Sequence, residues 1–185
     1  DVFNTLYYAA PRLPENWVCS FFTAVGTDPL SDQMFDFIEQ SGVSTKLIQR
    51  IPDRRPGLYM IHLDNGERSF SYWRENSAAR QMAAAPDHLK SSLKNAGLIY
   101  YSGITLAILP RESRDLLIQM VGMARKSGTT VAFDPNYRPA LWPDKSVMQE
   151  VIHAAAKSAD IILPNFDDEK LAFGDQTPEE TLTRY

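Results

Sequence analysis

Four groups of polar residues in the sequence have types suited to binding or chemistry. Asp134-Pro135-Asn136-Tyr137-Arg138 places a carboxylate, an amide and a guanidinium within one short stretch. Arginine presents a planar fork of donors that matches a carboxylate or a phosphate, so this stretch has the chemistry of an anion contact. The plainer use of the same residues is a turn, because Asn and Asp side chains bond their own backbone and an arginine is easily solvated. Asn165 followed by Asp167, Asp168 and Glu169 supplies oxygen ligands suited to magnesium, directly or through water. Acidic residues also favour a helix N-terminus for electrostatic reasons alone. Ser102-Gly103-Ile104-Thr105 serves equally as a lead-in to a helix or as a backbone approach to a ligand. The fourth group, Tyr59, Tyr72 and Arg74, is dispersed and needs an element to assemble it.

That element is a hairpin. Residues 57–63 and 67–74 are two strand-like runs joined at Asp64-Asn65-Gly66, with no helix between them. If Asn65-Gly66 form the two-residue turn this dipeptide favours, Leu63 faces Arg68, Ile61 faces Phe70 and Tyr59 faces Tyr72. Side chains alternate along a strand, so Tyr59, Ile61, Phe70, Tyr72 and Arg74 share one face. Met60, His62, Ser71 and Trp73 share the other. One face thus offers two phenols and a guanidinium.

The other three groups are positioned by a repeated β-α pattern. Residues 17–25 read as a buried strand, followed by a Gly26-Thr27-Asp28-Pro29 turn and a helix over 31–40 with Met34, Phe35 and Ile38 on one face. Three further units follow: strand 98–101 with helix 111–126, strand 130–133 with helix 145–157, and strand 160–163 with helix 167–173. Leu116, Leu117, Met120, Val121 and Ala124 give the first of these helices an inward stripe. Strands alternating with helices imply an α/β fold, doubly wound, with a mostly parallel sheet covered on both faces. Ligands of such sheets bind beyond the carboxyl ends of the strands. Ser102-Gly103, Asp134 to Arg138 and Asn165 to Glu169 all follow strands, so one rim is expected to carry them.

Composition sets limits on the partner. The chain has 185 residues, 44% hydrophobic and 23% charged, with twelve prolines and nine glycines that form no repeat or linker, as in a folded globular chain. A net charge of −4 and a pI near 5.4 argue against a nucleic-acid surface and for a small-molecule partner. Cys19 is the only cysteine, which excludes an internal disulfide; it is expected in the core. With no apolar run of membrane-spanning length and no secretion-signal pattern, no membrane partner is expected and a cytoplasmic location is the default. His62, His88 and His153 lack metal-ligand spacing. Neither a Gly-x-Ser-x-Gly elbow, a Gly-x-x-x-x-Gly-Lys loop nor a Gly-x-Gly-x-x-Gly turn is present. Helical spacing begins directly at Val2, and the Thr177-Pro178-Glu180 capping signature announces a helix that has only a few residues to run. Truncation at both ends is therefore expected.

In order along the chain, seven segments resemble the ribokinase-like (PfkB) carbohydrate kinases, and within them the subgroup acting on 2-keto-3-deoxygluconate. They are Asp1-Val2-Phe3-Asn4, Val25-Gly26-Thr27-Asp28, Pro56-Gly57-Leu58-Tyr59, Tyr72-Trp73-Arg74, Ser102-Gly103-Ile104, Asp134-Pro135-Asn136-Tyr137-Arg138 with Leu141-Trp142, and Asn165. The Tyr-x-Arg of the hairpin and the Asn-Tyr-Arg with its Leu-Trp sequel point to the subgroup. The resemblance implies a ribokinase-like fold in which 45–74 form a β-lid and 1–44 with 75–185 part of the kinase core. It implies ATP-dependent phosphorylation of the sugar acid's 6-hydroxyl with Mg2+, and a homodimer paired through the lid. Asn4, Tyr59, Tyr72, Arg74, Ser102, Gly103 and Arg138 would bind the sugar acid, and Asn136, Arg138 and Asn165 the ATP phosphates. Asp168 and Glu169 would face magnesium through water. The family pattern has Asn-x-x-Glu where this chain has Asn165 and Asp168, and the Gly-Ala-Gly-Asp type segment that carries the catalytic base has no counterpart, Gly174-Asp175 being an isolated pair. No residue of this chain is therefore assigned as catalytic base, and the chain alone is expected to be inactive. Other sugar kinases, such as ribokinase or fructokinase, and a non-catalytic sugar-acid-binding α/β module are the alternatives.

Overall fold

The computed structural model describes residues 2–64 and 66–185, in two compact units, Phe3–Ala84 and Ala85–Tyr185. In the first unit α1 (Val2–Ala9) precedes β1 (Thr23–Val25), α2 (Pro29–Gln40) and β2 (Ile48–Arg50). β1 and β2 pair in parallel with Thr23 opposite Ile48. Asp28 caps α2 by accepting from the Leu30 and Ser31 amides, and Pro29 occupies the first turn, where its missing N–H costs nothing. The capped helix turns Ile38 onto Val25, Val43 and Ile48, with Phe3, Leu6, Phe21, Met34 and Phe35 packed around them.

Two expectations for this unit need correction. Strand pairing covers only Thr23–Val25 of residues 17–25. Trp17 closes a turn on Pro14, and Trp17 and Val18 are exposed; farther on, the Phe21 amide and the Cys19 carbonyl both bond Ser44. Cys19 is half-buried rather than core, and that burial is enough to push its thiol pKa up.

Also in the first unit, β3 (Leu58–Asp64) and β4 (Glu67–Trp73) form the antiparallel hairpin. Tyr59 pairs with Tyr72, Ile61 with Phe70 and Leu63 with Arg68, the register expected from the sequence. Asn65, half of the proposed turn, lies outside the described residues. A 3-10 turn, Ala78–Gln81, follows.

The second unit begins with α3 (Pro86–Leu93), then β5 (Leu98–Ser102), α4 (Gly103–Ile108), α5 (Arg111–Lys126), β6 (Thr130–Asp134), α6 (Lys145–Lys157), β7 (Ile161–Ile162), α7 (Phe166–Phe173) and α8 (Pro178–Arg184). β5, β6 and β7 form a parallel sheet in that order. Helical connections supply the crossover that parallel neighbours require. Val131 and Phe133 of β6 are fully buried, as are Leu106 of α4, Val121 of α5, and Met148 and Ala155 of α6. Tyr101 packs its ring, tilted by 37°, against Phe133 at 4.9 Å between ring centres and donates to the Ala155 carbonyl at 3.1 Å.

The third strand is assigned over Ile161–Ile162 only, although the flanking Asp160 and Leu163 amides still donate to the Val131 and Phe133 carbonyls of β6 at 2.8 and 2.9 Å, and Asp160 adds side-chain contacts. Its carboxylate accepts from the Val131 amide at 2.9 Å and from Arg125 Nε at 2.7 Å. These contacts hold its pKa low, the Arg125 hydrogen bond contributing most.

Candidate functional site

All three strand-following segments of the second unit lie together. β5 ends at Ser102, whose buried hydroxyl accepts from the Ile104 amide at 3.2 Å and starts α4. Gly103 then passes so close to the next segment that a Cβ there would sit 2.0 Å from the Pro135 carbonyl oxygen. No side chain fits that approach, which gives Gly103 a structural reason to be glycine. The same approach sets the turn that carries Asp134 to Arg138 directly against the start of α4.

Within that turn, Asp134 Oδ1 accepts from the Asn136 amide at 3.0 Å, and Oδ2 accepts from the Tyr100 hydroxyl at 3.2 Å. Burial pushes the Asp134 pKa up, against the opposing pull of Tyr100, the Asn136 amide and Arg138. Asn136 has φ of 36°, a left-handed conformation that asparagine tolerates better than most residues. Tyr137 is buried beneath the turn, and Arg138 emerges from it. Arg138 Nη1 donates to the Tyr137 carbonyl at 2.6 Å and reaches Asp168 Oδ2 at 3.5 Å. With both side chains partly in water, that pair is a weak link, yet it joins the second segment to the third.

The third segment starts α7. Asn165 Oδ1 accepts from the Asp167 amide at 2.9 Å and from the Asp168 amide at 3.5 Å. Asp167, Asp168 and Glu169 fill the first turn, where they complement the helix dipole. Their side chains diverge. Asp168 turns to Arg138, whereas Glu169 is fully buried, taking Arg184 Nη2 at 2.7 Å and the Tyr185 hydroxyl at 3.1 and 3.2 Å. Burial pushes the Glu169 pKa up, countered by Arg184. Its oxygens are committed to α8 and not to the rim. Among the described residues no cluster of three His, Cys, Asp or Glu side chains could hold a metal.

In the first unit, the hairpin brings Tyr59, Tyr72 and Arg74 onto one face. The Tyr59 and Tyr72 rings lie 6.2 Å apart, and Phe70 stacks on Tyr72 at 6.0 Å. The Arg74 guanidinium sits over the Tyr72 ring at 4.1 Å from its centre, a cation–π contact that orients the charge along the aromatic face. Gly57, just before β3, lies where an added Cβ would stand 3.1 Å from Arg74 Cβ, just after β4, so the two chain segments run close together at the base of the arginine side chain. His62 bonds Ser71 on the opposite face at 3.1 Å. Both faces expose large apolar side chains, among them Tyr59, Met60, Phe70 and Trp73. Asn4 is exposed on α1.

Residues 18–185 match the pattern of the pfkB family carbohydrate kinases. The chain belongs to the pfkB family of carbohydrate kinases. Its curated relatives in that family include the 2-dehydro-3-deoxygluconokinase of Haemophilus influenzae, 42% identical over 167 residues, covering 89% of this chain and 53% of the relative. The enzyme of the same name from Escherichia coli K12 is 39% identical over 191 residues, covering 100% of this chain and 61% of the relative. Among solved structures, the 2-dehydro-3-deoxygluconokinase of Thermotoga maritima superposes with a TM-score of 0.82 at 25% identity, over 98% of this chain and 58% of that one. The fold is therefore ribokinase-like, as expected from the seven segments. The chain spans only 53–61% of the length of these curated relatives.

Sequence reasoning missed two residues whose side chains contact the stretch from Asp134 to Trp142. Tyr100 holds the Asp134 carboxylate, and its alternation with the inward Tyr101 on β5 was the available signal. Arg114 is buried in α5 with its Nε lacking a hydrogen-bond partner. It stands three residues before Leu117 and seven before Val121, so helical spacing places a charge on the apolar stripe.

Proposed function

We propose that this chain is the sugar-acid-binding part of an ATP-dependent kinase that phosphorylates 2-keto-3-deoxygluconate on its 6-hydroxyl. The observation that carries the reading is the hairpin face, where two phenols and an aromatic-backed guanidinium stand side by side. A sugar acid needs a cation for its carboxylate and hydroxyl partners beside it, and Arg74 with Tyr59 and Tyr72 has that chemistry. The names of the relatives with 39–42% identity agree with it.

In this reading residues 45–74 act as a lid on a core formed by 1–44 and 75–185, and Asn4, Ser102, Gly103 and Arg138 complete the sugar-acid contacts. Asn136, Arg138 and Asn165 face the ATP phosphates. Arg138 fits either anion, because its Nη1 is turned inward to Tyr137 while about half of the side chain stays in water. The donor set around Asp168 fits magnesium held through water and not an all-protein cage, since it offers one half-buried carboxylate, shared with Arg138, beside an amide. Glu169 would have to give up Arg184 and Tyr185 to join it. When bound, ATP and magnesium supply the phosphoryl group and neutralise its charge; this chain's residues orient the sugar acid and the phosphate oxygens. No residue here is assigned to take the proton from the 6-hydroxyl. A cytoplasmic setting suits a kinase that draws on ATP.

The test is a coupled ADP-release assay on the full-length protein with 2-keto-3-deoxygluconate, fructose and ribose, together with calorimetric titration of the sugar acid into residues 1–185. Turnover preferring the sugar acid, with binding but no turnover by the 185-residue chain, is expected. A preference for fructose or ribose would make it another sugar kinase, and binding without turnover by the full-length protein would make it a binding module.

A further inference from the structure

Arg114 carries a permanent charge into a position nine-tenths buried, with no ion pair to a carboxylate among the described residues and with Nε unpaired. Such a placement costs free energy unless another group answers the charge. Only Nε is buried without a partner, so the Nη end of the guanidinium reaches water, and the side chain's contact on the protein side is an aromatic ring: the Arg114 guanidinium carbon lies 5.7 Å from the centre of the Trp142 ring, within cation–π range. Trp142 is in turn tied to the loop that presents Arg138. Its amide donates to the Pro139 carbonyl at 3.1 Å, and the Leu141 amide donates to the Arg138 carbonyl at 3.0 Å, closing the 3-10 turn Pro139–Leu141. Buried Tyr137 fixes the near end of this loop. The far end is fixed by Trp142, and by Asp144, which caps α6 through the Val147 amide at 2.9 Å. Arg138, Pro139 and Ala140 are the exposed span between the two anchors.

We infer that Arg114 is a positioning residue for Arg138, acting through Trp142. The guanidinium of Arg114 holds the indole, the indole holds the 3-10 turn, and the turn sets the origin of the Arg138 side chain. Removing Arg114 frees the far anchor of a loop whose exposed tip has little else to define it. A side chain that must meet an anion in a fixed geometry is sensitive to such a change, because a displacement of about an ångström at a reacting or binding group is costly. This inference rests on the proposed role of Arg138 as an anion contact.

The experiment is a double-mutant cycle on the full-length protein with Arg114→Met, which keeps the aliphatic stem and removes the charge, and Arg138→Ala. KM and kcat for the sugar acid and for ATP are measured for wild type, both single variants and the double variant. Alongside, the emission of Trp142 is read in a background where Trp17, Trp73 and every other tryptophan of the protein are phenylalanine. Arg114→Met is expected to lower kcat/KM by about three- to thirtyfold, the worth of a buried cation–π contact, and to shift the Trp142 emission. In the Arg138→Ala background the same change should have almost no further effect. Arg114→Lys, which keeps the charge, should give a smaller loss that also disappears in the Arg138→Ala background. If the single effects multiply in the double variant while Arg138→Ala itself impairs the enzyme, the positioning role is wrong and the kinase reading stands. If Arg138→Ala leaves all constants unchanged, the reading of Arg138 fails and this inference falls with it.

Discussion

Replacing Gly103 by alanine should damage stability and activity together, for a reason that can be worked from the backbone. The added methyl would stand 2.0 Å from the Pro135 carbonyl oxygen and 2.9 Å from Ile152 Cδ1, where contacts below 3.0 Å are essentially never seen. Ile152 can yield by rotating its terminal methyl. The Pro135 carbonyl cannot, because the proline ring and the Asp134 to Asn136 turn fix its direction. Either α4 or the turn must therefore move by about an ångström. Forcing a methyl into a packed site typically costs about 1–3 kcal/mol. In a protein of this size that lowers Tm by roughly 2–4 °C for each kcal/mol.

Function should suffer more than stability. The shifted turn carries Asp134, Asn136 and Arg138, and a displacement of about an ångström at a positioned group can cost on the order of a hundredfold in rate. Calorimetric Tm and steady-state kinetics on the full-length protein measure both effects. Ile152→Val serves as the control, since trimming the yielding neighbour should not rescue Gly103→Ala. A Gly103→Ala protein with unchanged Tm and kcat/KM would refute the close-approach argument, and full rescue by Ile152→Val would show that the backbone contact was never limiting.

Arg74→Ala and Arg138→Ala should each weaken sugar-acid binding by about 2–5 kcal/mol where the closed site is dry, and lysine at either position should also fall short of arginine; KM values unchanged by all four variants would remove both residues from the site. The exposed hairpin face bearing Met60 and Trp73 is proposed to pair in a homodimer, so Trp73→Glu should loosen the wild-type dimer in sedimentation at micromolar concentration, and a wild-type monomer would return the hairpin to a solvent-exposed insertion. Asp175 accepts from Arg184 Nη2 at 2.6 Å and from Thr181 Oγ1 at 2.6 Å, and its pKa is lowered, chiefly by the Arg184 hydrogen bond. Its contribution is therefore complete above an unfolded pKa of about 4 and is lost as pH falls through the lower folded value. Urea midpoints between pH 5 and pH 2 should fall less steeply for Asp175→Asn than for wild type, and parallel curves would show that the pair does not report on acid stability. Glu169 carries the opposite sign, since its pKa is raised by burial; Glu169→Gln should remove a penalty that grows as pH rises from about 4 upward.

Sequence logic was strongest where a local rule had one solution. Asn65-Gly66 between alternating residues fixed the hairpin register, and that register alone placed Tyr59, Tyr72 and Arg74 on one face. The α5 and α6 boundaries follow from helical periodicity in the same way. It was weakest where tertiary partners decide. Residues 17–22 have strand composition but only Ser20 forms an isolated bridge, to Ser44, because pairing needs a neighbour at the right register and not merely apolar side chains. Asp160 pairs its amide with the Val131 carbonyl as a strand edge would, but its carboxylate contacts to the Val131 amide and Arg125 depend on tertiary partners that no local pattern announces. Glu169 looked like a member of an acidic rim cluster, and only the arrival of α8 makes it a buried partner of Arg184 and Tyr185.

The structural and ligand-binding readings of the rim residues, set against each other in the sequence, are compatible in the fold. Asn165 caps α7 with its amide oxygen, since only an oxygen can accept from the Asp167 and Asp168 amides. The cap thereby fixes the amide's orientation and leaves its two N–H donors as the atoms not used in capping. Donors of that kind, at a helix N-terminus, are what a phosphate oxygen requires. Asp134 follows the same logic: accepting from the Asn136 amide and the Tyr100 hydroxyl makes the turn that delivers Arg138. Arg138 itself is directed through Nη1, which meets both the Tyr137 carbonyl and Asp168, leaving Nε and Nη2 to face a ligand. Each turn or cap holds a side chain by the atom that the proposed ligand does not need, so a substitution that keeps the cap but exchanges the outward group, such as Asn165→Asp, should spare the helix and abolish the donor.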